Sequence, residues 1–171
     1  MKKILITATA LFALTACNDK IAFVDNAKLL DDYQETKDIK NKFQGIKNAY
    51  DKKRDSINIA YETEANKFLE QAKTMPESVA KKRYNELMQK RQILEQHLQQ
   101  EEMKIQMESQ VELDTMLTKI KKNIQEYGKQ KGYTYILGAN SGGSVLYGTD
   151  RKDITKEVTE YLNNQYKSGK K

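Results

Sequence analysis

Chemistry needs side chains that converge, and this sequence offers few that do. His97 is the only histidine. It lies beside Gln96, Gln99 and Gln100 with no Cys or Asp cluster near it, whereas metal and nucleophile sites need partners from several directions. It reads as a solvated helix residue. Asp31-Asp32 and Glu101-Glu102 are sequence neighbours on expected helices, so each pair points two ways and cannot share a proton. The stretch GANSGGS at 138–144 has the glycines of a phosphate cradle, but it lacks the GK[ST] ending and precedes a β-favouring run instead of a helix. A hairpin tip explains it better. No catalytic residue, no metal ligand and no cofactor is expected, so the chain is not expected to be an enzyme.

The remaining reactive group is Cys17, the only cysteine. Met1-Lys2-Lys3 is followed by an apolar run from Ile4 to Leu14, then by Leu14-Thr15-Ala16-Cys17 and polar Asn18-Asp19-Lys20. A charged start, a short apolar core and a small-residue cleavage site are the layout of a secretory signal. The run is about a dozen residues, against the roughly 20 that span a bilayer. LTAC resembles the lipobox of bacterial lipoproteins, where a peptidase cuts before a cysteine whose thiol carries diacylglycerol. Residues 1–16 are therefore expected to be removed and Cys17 lipidated, which puts the chain in the cell envelope, facing the periplasm from the inner or outer membrane. Taking Lys2 and Lys3 from the 30 basic residues leaves 28 against 24 acidic, a net +4. A mildly basic envelope protein has no evident nucleic-acid partner; anionic lipid headgroups or acidic polypeptides suit it better.

The elements around these residues follow from periodicity. After Cys17, Ile21 to Val24 form a β-favouring run closing a first segment at 17–25, and Asp25 or Asn26 supplies a cap for a helix beginning near Ala27. Apolar residues then recur at Leu29, Leu30, Tyr33, Phe43, Ile46, Tyr50, Ile57, Tyr61, Phe68 and Ala72, in steps that suit one continuous helix. Pro76, the only proline, marks a reversal near 74–78. A second pattern runs from Val79 through Leu87, Leu94, Leu98, Ile105, Leu113, Ile120 and Tyr127 to Lys131 and Gly132. Residues 26–131 thus read as a two-helix coiled-coil hairpin whose arms, at roughly 1.5 Å per residue, would reach roughly 75 Å. Within 132–166, Tyr133–Leu137 and Ser144–Tyr147 read as a β-hairpin and Asp153 caps a short helix faced by Ile154, Val158, Tyr161 and Leu162; 167–171 reads as a polar tail. The fold class is α+β: a long helical hairpin projecting from a small β-rich body. Three short strands and one helix are too little to fold well alone, so other copies of the chain are expected to complete the body.

Four segments carry a resemblance: KIAFVDNAKLLDDY from Lys20, the long charged hairpin, KGYTYIL from Lys131 and SVLYGTDRKDITKEV from Ser144. Together they resemble the Skp (OmpH) family of periplasmic chaperones over essentially the whole mature chain. The resemblance implies a homotrimer, with a β-barrel body and three helical arms around a cavity that holds unfolded outer-membrane proteins without ATP. It carries Ile21, Ala22, Phe23, Val24, Ile136, Leu137, Val145, Leu146 and Tyr147 onto body strands and trimer contacts. Familiar members are soluble, so a lipid on Cys17 sets this chain apart.

Tyr61, Phe68, Met75 and Met88 are candidate client contacts, since methionine and aromatic groups adapt to irregular apolar partners. Lys73, Lys81, Lys82, Arg83, Lys90 and Arg91 give the hairpin tip a basic patch for acidic clients or headgroups. The expected function is ATP-independent holding of unfolded outer-membrane proteins; the rival is a structural coiled-coil lipoprotein that tethers or adapts without a client. Because the β part is incomplete, the mature chain carrying Cys17→Ala is expected to run as a trimer in light scattering, and a stable monomer would refute the architecture.

Overall fold

The structure, a computed structural model, describes residues 19–140 and 145–169; Cys17 and Ser144 lie outside the described residues. Strand β1 (Ile21–Asp25) leads into helix α1 (Asn26–Asp32), and the two long helices α2 (Gln34–Ala72) and α3 (Glu77–Lys131) form the hairpin. Strand β2 (Tyr135–Ala139), a 3₁₀ turn at Asp150–Lys152 and helix α4 (Thr155–Gly169) follow. Both long helices end where the local chemistry dictates. Pro76, extended at φ −58° and ψ 138°, precedes α3 and its carbonyl accepts from Val79 and Ala80. Gly132 closes α3 at φ 68°, in the left-handed region that glycine enters without a Cβ clash. The Asp25 carboxylate caps α1, accepting from the amides of Ala27 at 3.0 Å and Lys28 at 3.1 Å.

The expected continuous first helix is broken at Tyr33, whose backbone is extended at φ −74° and ψ 127°. Its buried ring joins the core, its hydroxyl donates to Glu35 at 2.6 Å, and the next amide, Gln34, donates to Asn163 Oδ1 at 2.8 Å. Core packing and an external cap thus outweigh helical continuity. Leu29 and Tyr33 consequently belong to the body core and not to the arm's stripe.

The expected β-hairpin is also replaced. β2 pairs with β1 in parallel, Ile21 opposite Tyr135 and Asp25 opposite Ala139, with the whole helical hairpin as the crossover. Val145–Tyr147 is not a strand; Leu146 is 94% and Tyr147 85% exposed. Gly148 lies so close to the Phe23 ring that a Cβ there would overlap it, so the chain crosses this ring as irregular backbone. The segment that does reach the other side of β1 is later: Phe23 bridges Asp153, and the Ile154 amide donates to the Phe23 carbonyl at 3.0 Å.

Inward residues of β1, Ala22 and Val24, pack with Leu29, Tyr33, Met116, Ile120, Val158 and Leu162. The apolar face expected for the last helix is the one buried, with the Asp153 carboxylate accepting from the Thr155 amide at 2.9 Å. That helix continues to Gly169, beyond the expected start of the tail at 167. Because the Leu162 side chain is fully covered, Leu162→Ala is expected to cost about 2–5 kcal/mol, read as a lower midpoint in urea unfolding; an unchanged midpoint would refute this core.

Candidate functional site

The hairpin carries its apolar seam lightly. Beyond Ile39 on α2, only Tyr50 is buried; Phe43, Ile46, Ile57, Tyr61 and Phe68 are half-buried against Leu87, Leu94, Leu98 and Ile105 of α3. Polar links supplement the seam. Tyr50 donates its hydroxyl to the Leu98 carbonyl at 3.1 Å, and burial followed by the nearby Glu102 charge raises its pKa. Lys42 pairs with Glu112 at 2.5 Å and Lys53 with Glu101 at 2.7 Å, while Lys90 pairs with Glu64. Exposed ion pairs of this kind each contribute about 0–1 kcal/mol. The arms are joined well enough to stay paired and weakly enough to bend.

The root of the hairpin is tighter. Glu35, with its side chain 10% exposed, accepts from the Tyr33 hydroxyl and from Lys119 at 2.8 Å, and Thr36 donates to the Met116 sulfur at 3.4 Å. Burial, and then the bond to Glu35, push the Tyr33 phenol above its ordinary range. A tyrosine held neutral this way is a structural latch.

Among the expected client contacts, Tyr61, Phe68, Met75 and Met88 are all half-buried, in or beside the seam. The apolar groups that stand clear are others. Met103, Met107 and Val111, spaced by four on α3, are 50%, 68% and 63% exposed; Ile93 is 53%, and on α2 Ile59 and Leu69 are 64% and 59%. Met107 and Val111 face Phe43 across a groove of about 600 Å³ that Lys42 and Lys104 border. From the sequence, Met103 and Met107 stand among the hairpin methionines that could adapt to a client, but the choice falls on Met75 and Met88. The available signal was phase: at 3.6 residues per turn, Met103, Met107 and Val111 cannot share a face with Leu94, Leu98 and Ile105.

The expected basic tip is largely paired. Lys73 meets Glu70 at 3.1 Å, Lys82 meets Glu86 at 4.0 Å, Lys90 meets Glu64, and Arg91 meets Glu95 at 2.7 Å. Arg83 donates to Gln71 at 3.1 Å, and Lys81 is exposed beside them. Their charge is locally offset, so the tip is a mixed-sign surface.

The residues expected at subunit contacts divide by strand alternation. Ala22 and Val24 are covered by the chain's own helices, and Ile136 is half-buried with its terminal carbon near Gly128. Ile21 and Leu137, on the other face, are 38% and 42% exposed, and Phe23 is half-covered. Leu146 and Tyr147 are open and Val145 half-buried. β2 has no strand partner on its outer edge among the described residues. A two-stranded sheet with an apolar face and a bare edge is unstable as an isolated unit. Among the described residues, no group of His, Cys, Asp or Glu is placed to hold a metal ion, and no helix is long and apolar enough to cross a membrane.

The profile of the OmpH-like outer membrane protein family matches residues 20–162, which takes in the body strands, both arms and most of α4. The chain belongs to the OmpH-like family. Residues 1–18 match the lipid attachment site of prokaryotic membrane lipoproteins, so this OmpH-like protein is a cell-envelope lipoprotein. No curated protein sequence matches it. Its fold is similar to the crystal structure of an OmpH-like protein from Caulobacter crescentus, proposed there to be an outer membrane chaperone. The two share 14% identity and a TM-score of 0.77 over 86% of this chain and 85% of that one.

Because Met107 and Val111 are largely exposed, Met107→Gln with Val111→Gln is expected to change stability by less than about 0.5 kcal/mol. Tyr50→Phe, which removes the hydroxyl bond to the Leu98 carbonyl between the arms, is expected to cost about 1 kcal/mol. Thermal melts of the two variants check both; a larger loss in the double glutamine variant would place those residues in the fold and not on a working surface.

Proposed function

We propose that this OmpH-like lipoprotein is an ATP-independent holdase for unfolded outer-membrane proteins, working as a homotrimer anchored through lipid on Cys17. The observation that carries the reading is the set of apolar side chains, Ile59, Leu69, Ile93, Met103, Met107 and Val111, left uncovered on arms that are otherwise densely charged. Isolated exposed apolar residues are common on proteins, but here they recur along both helices of one projecting element. Each offers a client segment a small contact of the adaptable kind methionine makes well. Many weak contacts keep apolar segments apart and still release them without an energy source. Mixed-sign side chains between them favour a solvated client over a collapsed one.

The lightly packed seam also favours this reading over a rigid tether, which would gain from a continuous buried stripe. The open face formed by Ile21 and Leu137, with the bare edge of β2, supports a body shared among copies. Three arms standing around one axis would then enclose a client on several sides and keep other chains from reaching it.

A urea-denatured outer-membrane barrel protein diluted with stoichiometric mature chain, Cys17→Ala and nucleotide-free, is expected to stay clear in a turbidity assay. With Ile93→Gln, Met107→Gln and Val111→Gln combined, turbidity is expected to return several-fold faster. If the parent chain leaves aggregation as fast as buffer does, the tether reading stands instead.

A further inference from the structure

The end of α3 and the start of β1 meet at one place. Lys20 Nζ donates to the Lys131 carbonyl at 2.8 Å and lies 4.1 Å from the centre of the Tyr133 ring. The Thr134 amide donates to the Lys20 carbonyl at 2.9 Å, and the Thr134 hydroxyl to Asp19 at 3.3 Å. Lys129 and Lys131 stand exposed in the last turn of α3. Asp19 shares this end, Glu126 lies one turn earlier on α3, and Glu157 stands near Tyr127, whose ring stacks on Tyr133. The lysines also offset the negative end of the helix dipole.

Lys20 is only three positions after Cys17, a reach of at most about 11 Å. A lipid on Cys17 must therefore bring this end of the body to the bilayer. α3 runs unbroken from that point for 55 residues, which places the Pro76 reversal about 80 Å away.

We infer that the end bearing Lys20, Lys129, Lys131 and Tyr133 is a membrane-contacting surface that sits on anionic phospholipid headgroups, with the arm tips held far out from the bilayer. One acyl-bearing anchor binds more firmly when a basic patch assists it, and lysines at an anionic surface contribute individually. A tyrosine beside them suits the headgroup level. The surface is distinct from the apolar face of Ile21 and Leu137, which suits another copy of the chain. The inference rests on lipidation of Cys17 and is independent of any client.

With Cys17 lipidated, an introduced cysteine is the only free thiol, so full-length processed protein carrying Gln130→Cys or Ser78→Cys can be labelled at either end of α3. In vesicles of phosphatidylcholine with phosphatidylglycerol and a headgroup-linked energy acceptor, the Gln130→Cys label is expected to transfer strongly and the Ser78→Cys label only at background. Lys129→Gln with Lys131→Gln is expected to lower the docked-to-undocked ratio of the first label about fivefold per lysine, equivalent to ~1 kcal/mol each; circular dichroism checks that the fold is kept. Equal transfer from both labels overturns the orientation. Equal transfer from the Gln130→Cys label in pure phosphatidylcholine overturns the anionic contact. Palmitate labelling separates the remaining case: incorporation in the parent chain but not in Cys17→Ala supports the anchor, and none in either overturns anchor and orientation together.

Discussion

The parallel pairing of β1 with β2 is the constraint on which the rest of the structure depends. Five residues on each strand hold together two points separated by the entire helical hairpin. Closing so long a connection is entropically costly in a flexible chain. Here the connection is itself two antiparallel helices, 39 and 55 residues long, whose pairing brings the far end of α3 back to Lys20. The hairpin makes the sheet possible, and the sheet determines where the hairpin is rooted.

From that root the packing weakens steadily outward. Near the body, α2 and α3 are locked by Met116, Ile120 and the Tyr33–Glu35–Lys119 cluster, and α4 lays Val158 and Leu162 across the same core. Further out the seam is half-buried, and its polar links are solvent-exposed pairs. The molecule is thus closely packed at the root and lightly packed along the arms, where the proposed clients would be met. A compliant arm with uncovered methionines and branched aliphatics is a liability on an ordinary soluble protein. It becomes an asset when the task is to hold a chain that has no fixed shape.

The break at Tyr33 has a comparable role. A continuous helix from α1 into α2 would carry Leu29 and Tyr33 along the arm and leave the body without two of its largest buried side chains. The extended residue lets α1 turn its apolar side into the core while α2 departs along the arm. Asn163, from the far end of the chain, caps the new helix, so α4 helps decide where the arm begins.

Much of this was legible in the sequence. Periodicity over tens of residues located both arms, Pro76 and Gly132 located their ends, and the order Leu14-Thr15-Ala16-Cys17 marked the lipoprotein attachment motif, because each signal is local and repeats or stands alone. Strands at Ile21–Val24 and within the run Tyr133–Leu137 were equally readable from β-branched and aromatic residues, although the second strand starts only at Tyr135 and ends at Ala139. Pairing partners were not: neighbouring β-favouring segments suggest a hairpin, and only the return of α3 to Lys20 puts β2 beside β1 instead of beside Val145–Tyr147. Exposure was half legible: helical phase separates Met107 from the stripe of Leu94, Leu98 and Ile105, but it does not say which stripe meets the opposite arm. Which of them faces the opposite helix depends on the rotation of each arm about its own axis. That rotation is set by the core at the hairpin's root, through contacts between residues far apart in the chain that no local pattern records.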